Sequence, residues 1–105
     1  IRTRQAKGGR AAALRLTSPD PNRRLRIDPQ LPRDSQQLPV TALSTFEPAG
    51  DVTLTVDGRP FAAVGGPEYT AWWALEPGRH VFAAFAQRSD GTLEQSEEVA
   101  VVIEP

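Results

Sequence analysis

Turn-forming residues punctuate this chain so regularly that no stretch is left in which a helix longer than one turn could form. Ser18-Pro19-Asp20-Pro21-Asn22 comes first, then Pro29, Pro32 and Pro39, then Asp57-Gly58, Gly65-Gly66-Pro67, Glu76-Pro77-Gly78 and Ser89-Asp90-Gly91-Thr92. Pro removes a backbone donor and clashes with the preceding helical turn, while Gly and Asp-Gly tolerate the positive φ of tight turns. Between these breaks the apolar residues recur with a period of two, the period of a half-buried strand. The clearest case is Asp51 to Asp57, where Val52, Leu54 and Val56 face one way and Thr53 and Thr55 the other. Asp57-Gly58 then stands directly before Arg59 to Val64 and predicts a two-residue type I′ hairpin.

The same reading gives a strand over Ala12 to Thr17, a short extended piece at Leu25 to Asp28 and a strand over Gln37 to Leu43. Pro39 places that last strand at an edge, or itself at a strand start, because it cannot donate to a ladder. Strands follow at Thr70 to Leu75 and His80 to Gln87, and a closing one is carried by Val99, Val101 and Ile103. About seven strands with turns every 8 to 12 residues predict an all-β fold, an immunoglobulin-like antiparallel β-sandwich, with a small barrel as the alternative. Residues 1–10 lack any apolar period and carry a Gly pair among charges, which reads as a linker or disordered tail before a domain at 11–105. At 105 residues one domain is expected. Beginning at Ile1 and containing no Met, the chain reads as a piece of a longer polypeptide.

Twelve basic against thirteen acidic residues leave a net charge of -1, which argues against nucleic acid or an anionic membrane as the partner. The ends are oppositely charged. Arg2, Arg4, Lys7, Arg10, Arg15, Arg23, Arg24 and Arg26 precede residue 27 with only Asp20 against them, whereas 89–105 hold Asp90, Glu94, Glu97, Glu98 and Glu104 and no cation. Pairing of the first and last strands would use that polarity. The absence of Cys removes disulfides, thiolate metal sites and a Cys nucleophile together. No apolar run reaches the roughly 18 residues of a membrane span, and no signal peptide opens the chain.

Several segments share a pattern. Ser18-Pro19, Ile27-Asp28-Pro29, Leu31-Pro32, Gln36-Gln37, Val56-Asp57-Gly58, the turn Trp73-Ala74-Leu75-Glu76-Pro77-Gly78-Arg79-His80 and the valine-rich run Val99 to Ile103 occur in this order and spacing. In these features the chain resembles the C-terminal domain of penicillin-binding protein 1C, a bifunctional peptidoglycan glycosyltransferase and transpeptidase. The resemblance implies a non-catalytic immunoglobulin-like module after the transpeptidase domain, periplasmic or extracytoplasmic and tethered to the inner membrane through its parent chain. Longer segments at Phe46 to Asp51 and Gly65 to Thr70 depart from the family pattern and enlarge two loops.

The residues themselves exclude the parent's chemistry from this segment. Transpeptidation needs a Ser with a Lys three positions on and a Lys-Thr-Gly strand; Lys7 is the sole lysine, and no Ser precedes it by three. Glycosyl transfer needs paired carboxylates in a helical cleft, which a chain without helices lacks. The lone His80 has no Gly-x-Ser-x-Gly elbow to serve, so it reads as a polar residue at a strand start. One His and no Cys give no metal-ligand spacing, and Asp20, Asp28 and Asp34 lack the spacing of a calcium loop. No cofactor is expected.

One aromatic cluster remains. Trp72 and Trp73 are adjacent, so on a strand they point to opposite faces. The family pattern assigns Trp73 to the core. Trp72, with Tyr69 nearby, is then the candidate ligand-binding pair, a platform for the apolar face of a sugar. The expected role is an accessory domain of a peptidoglycan synthase that contacts the transpeptidase domain of its own chain or a cell-envelope protein. A module binding the glycan strands of peptidoglycan is the alternative.

Overall fold

The computed structural model describes residues 13–105; the linker expected at 1–10, and the first two residues of the expected domain, lie outside the described residues. Among the described residues nine strands make two sheets that pack face to face. The smaller has the order β1-β3-β6, from Leu14–Ser18, Gln37–Ser44 and Tyr69–Ala74. The larger has the order β2-β9-β7-β4-β5, from Arg23–Arg26, Val99–Glu104, Gly78–Gln87, Val52–Val56 and Arg59–Val64. The short β8, Leu93–Gln95, pairs with the far end of β7. A single 3-10 turn at Arg33–Ser35 is the one helical piece among the described residues.

Alternation decides which side chains meet between the sheets. Leu38, Val40 and Ala42 of β3, Val52 and Leu54 of β4, Phe82, Ala84 and Ala86 of β7, and Val101 and Ile103 of β9 all enter the core, joined by Leu14 and Trp73. Phe82, Leu54 and Val101 are fully enclosed, and burying a side chain of that size stabilises the fold by about 1.5–3 kcal/mol. The hairpin between β4 and β5 has the expected form: Val56 pairs with Arg59, and Asp57 (φ 54) and Gly58 (φ 84) both take positive φ, as a type I′ turn requires.

Four details differ from what the sequence predicts. Nine strands replace about seven, because β2 and β8 form only by adding to strands already in place. The sandwich is not wholly antiparallel, since β2 runs parallel to β9. It is β2, not β1, that meets the last strand; β1 belongs to the other sheet, and the turn at Pro19–Asn22 carries the chain across. The charge polarity of the ends is used there in one ion pair, Arg24 to Glu104 at 2.6 Å. Finally, Pro39 lies within β3, the central strand of its sheet, rather than at an edge or a start. The last β1–β3 pair is Ser18 with Thr41, so the missing N–H of Pro39 falls where β1 has already ended. The Ser18 hydroxyl donates to the Pro39 carbonyl there, at 2.7 Å.

Candidate functional site

The motif residues Asp57, Trp73 and His80 converge at one end of the sandwich. Register brings them together: β4 and β7 pair from Thr53 with Phe85 to Val56 with Phe82, so the hairpin that begins at Asp57 lies beside Val81. The Asp57 backbone N–H donates to the Val81 carbonyl at 2.7 Å, and Asp57 Oδ1 accepts the Val81 N–H at 2.9 Å. Its second oxygen, Oδ2, faces His80 Nδ1 at 2.7 Å. On the other side of the ring, Nε2 faces the carbonyls of Glu76 and Pro77 at 3.1 and 3.3 Å.

Every partner of the imidazole is therefore an acceptor. A neutral ring carries one N–H and would leave a lone pair facing an oxygen, whereas the imidazolium donates at both nitrogens. The protonation equilibrium follows that geometry. Burial works against the charge on His80, and the bond to Asp57, the Asp57 charge and the Pro77 and Glu76 carbonyls outweigh it, raising the pKa above the usual 6.5. For Asp57, burial is likewise opposed and outweighed, here by His80 and the Val81 N–H, and its pKa is lowered from 3.8. The His80 ring meets Trp73 edge-on, with centroids 4.8 Å apart, and Trp73 meets Phe82 edge-on at 5.1 Å. The cluster is closed on itself: each polar atom of His80 is taken by the scaffold.

Gln36 is a second fixture. Buried just before β3, its side-chain Oε1 accepts the Asp28 N–H at 2.7 Å, and its Nε2 donates to the carbonyls of Asp28, Leu31 and Pro32 at 2.9, 3.3 and 3.4 Å. One amide thus fastens the proline-rich loop that carries two of the shared motifs. Nothing in the sequence pattern around Gln36 distinguishes it from Gln37, which is exposed.

The two candidate binding residues do not share a surface. Trp72 is 60% exposed on the outer face of the smaller sheet, opposite Pro39 and beside a hydroxyl pair formed by Thr41 and Thr70 at 2.9 Å. Tyr69 pairs with the buried Ala42 and packs against the core. Positions 69 and 72 differ by an odd number, so strand alternation sends them to opposite faces. The Tyr69 ring instead covers Gly66, where a Cβ would lie 2.6 Å from its hydroxyl oxygen. Trp73, by contrast, takes the core position expected of it, 8% exposed. Among the described residues no group of three or more His, Cys, Asp or Glu side chains is placed to hold a metal ion.

Comparison with known proteins agrees with this layout. The solved fibronectin(III)-like modules of Clostridium thermocellum CbhA superpose with a TM-score of 0.72 over 87% of this chain and 94% of theirs, at 18% identity. At that identity the likeness speaks for the fold alone, a fibronectin-like member of the immunoglobulin-like sandwiches. None of the curated proteins matches the chain. The family model of the penicillin-binding protein C-terminus matches residues 3–88, a span that includes the Asp57, Trp73 and His80 cluster and Gln36. The chain belongs to the penicillin-binding protein C-terminus family.

Proposed function

We propose that this domain is a non-catalytic accessory module of a peptidoglycan glycosyltransferase and transpeptidase, held on the outer side of the cytoplasmic membrane by its parent chain, and that it acts by contact. The observation that carries this reading is how the family's motif residues are employed. Asp57, His80 and Gln36 are the polar side chains best placed for chemistry, and their hydrogen-bonding atoms are occupied by backbone and by one another. A general base needs a free position within hydrogen-bond reach of a substrate proton. What such a cluster offers instead is a rigid scaffold with two sheet faces to present.

The test compares the full polypeptide with a version lacking residues 11–105 in glycan polymerisation, peptide crosslinking, cellular abundance and co-purifying proteins. A change in abundance, regulation or co-purifying proteins is expected. No change in any of the four would sink the reading.

A second reading has its own observation, the exposed Trp72 beside Pro39 and the Thr41–Thr70 hydroxyls. An indole face covers the C–H side of a sugar ring, and flanking hydroxyls can bond its oxygens. On this reading the smaller sheet holds peptidoglycan glycan strands. The protein would co-sediment with isolated sacculi and the Trp72→Ala variant would not; failure of the unaltered protein to pellet would dispose of it.

A further inference from the structure

The larger sheet has an apolar outer face. Its central strands read as unbroken apolar runs, VFAAFA at 81–86 and VAVVI at 99–103, the pattern of strands covered on both sides. Phe82, Ala84 and Ala86 face the core. By alternation Val81, Ala83 and Phe85 face outward, as do Ala100 and Val102 across the β7–β9 pairing. Even without a cover, Ala83 is 5% exposed and the neighbouring Thr55 6%, with the Thr55 hydroxyl turned onto the Ala83 carbonyl. Ala83 and Thr55 are thus already enclosed by the domain's own side chains, and half-buried Val81, Phe85, Ala100 and Val102 around them make an apolar surface with little polar to offer water.

Cations border one end of it. Arg79, Arg24 and Arg26 all face outward on β7 and β2; among the described residues Glu104 pairs with Arg24, and the Asp57 carboxylate lies near Arg79 without an ion pair. Size narrows the occupant further. Five strands about 4.8 Å apart, with about six residues each at about 3.3 Å, give a face of roughly 400–500 Å². A stable complex of free partners takes about 800 Å² from each. Interfaces between domains of one chain are sufficient at about half that, because the tether holds the partner at millimolar effective concentration.

We propose that the outer face of the β2-β9-β7-β4-β5 sheet docks onto the catalytic domain of the same polypeptide, against an apolar patch bordered by carboxylates that meet Arg26 and Arg79. This rests on the accessory reading above and gives it a surface. The opposite face, with Trp72, is left free.

Photo-crosslinking in the full polypeptide tests it. A photoreactive side chain at Val81 or Val102 is expected to crosslink within the chain to the catalytic domain, at a site rich in Asp and Glu; the same probe at Leu43, on the smaller sheet, is expected to give no such product. Ala83→Arg, which sets a cation in the middle of the apolar face, is expected to lower the yield at least about tenfold, with protease resistance of the domain unchanged. If that variant proves protease-sensitive, the unsubstituted probe at Val102 still decides. Crosslinks to a second copy, to a separate protein or to nothing would each overturn the docking proposal. The deletion experiment stays independent of it: an effect of deletion without the intramolecular crosslink removes the docking site and leaves the accessory role, and neither result removes both.

Discussion

Two adjacent tryptophans show how far the position of a side chain, rather than its type, sets its contribution. Trp73 contacts both Phe82 and His80 and is almost wholly enclosed, so Trp73→Ala should cost about 3–5 kcal/mol in denaturant unfolding. Trp72→Ala should change stability by no more than about 0.5 kcal/mol; a large loss there would mean that the indole is packed rather than presented. Gln36 is the polar counterpart of Trp73. Gln36→Leu keeps the size but leaves the Asp28 N–H and three carbonyls without their partner, at an expected cost of about 2–3 kcal/mol by the same measurement. Alternation puts Trp72 and Trp73 on opposite faces, and the family resemblance picks Trp73 for the core; the same alternation places Tyr69 on the Trp73 side, which grouping Tyr69 with Trp72 by closeness in sequence overlooked. The bonds of Gln36 were not legible in the sequence, because they depend on how a proline-rich loop folds back over it.

Elements with a pattern of their own were legible, and those made by their neighbours were less so: the short extended piece at Leu25 to Asp28 overlaps only half of β2, and nothing marks β8. β4 announces itself by alternation and β9 by its valine-rich run, and the Asp57-Gly58 turn fixes the β4–β5 hairpin. β2 and β8 have four and three residues, too few to show a period, and exist because β9 and β7 offer them an edge. The break between β8 and β9 is bridged by one side chain. Ser96 Oγ accepts the Ala84 N–H at 2.8 Å and donates to the Glu97 carbonyl, while the Ser96 backbone N–H donates to the Ala84 carbonyl at 2.9 Å. The hydroxyl thus stands in for a ladder bond that the bent strand cannot make. Ser96→Ala should cost about 1–3 kcal/mol, the desolvation of an unpaired buried donor, and hydrogen exchange should report faster loss of protection at Ala84 than elsewhere in β7.

At the scale of the whole molecule, the Asp57–His80 pair ties stability to pH. His80 is the one histidine and there is no Cys, so no other side chain has an ordinary pKa between about pH 6 and 8. The His80 pKa is raised on folding, so its contribution is complete below its usual 6.5 and is lost as pH rises through the folded value. Asp57 acts in the opposite sense: its lowered pKa gives a contribution present above 3.8 and lost as pH falls through the folded value. Its half-exposed carboxylate keeps that share small. Urea midpoints should therefore be highest between about pH 4 and 6.5 and decline toward pH 8.5, with His80→Gln flattening the alkaline decline. A flat profile for the unsubstituted protein would show that the ring is neutral when folded. The pairing itself was hidden in the sequence, because residues 57 and 80 meet only through the β4–β7 register.

The parallel pairing of β2 with β9 has a consequence for the order of events in biosynthesis. Arg23 to Arg26 wait for Val101 to Glu104, partners nearly eighty positions later, and β9 also supplies Val101 and Ile103 to the centre of the molecule. While the ribosome is still adding residues short of 100, β7 has an open flank and the early strand has nowhere to go. Pairing so distant in sequence makes for folding in milliseconds to seconds rather than microseconds, and β2 can join the sheet only once β9 is in place.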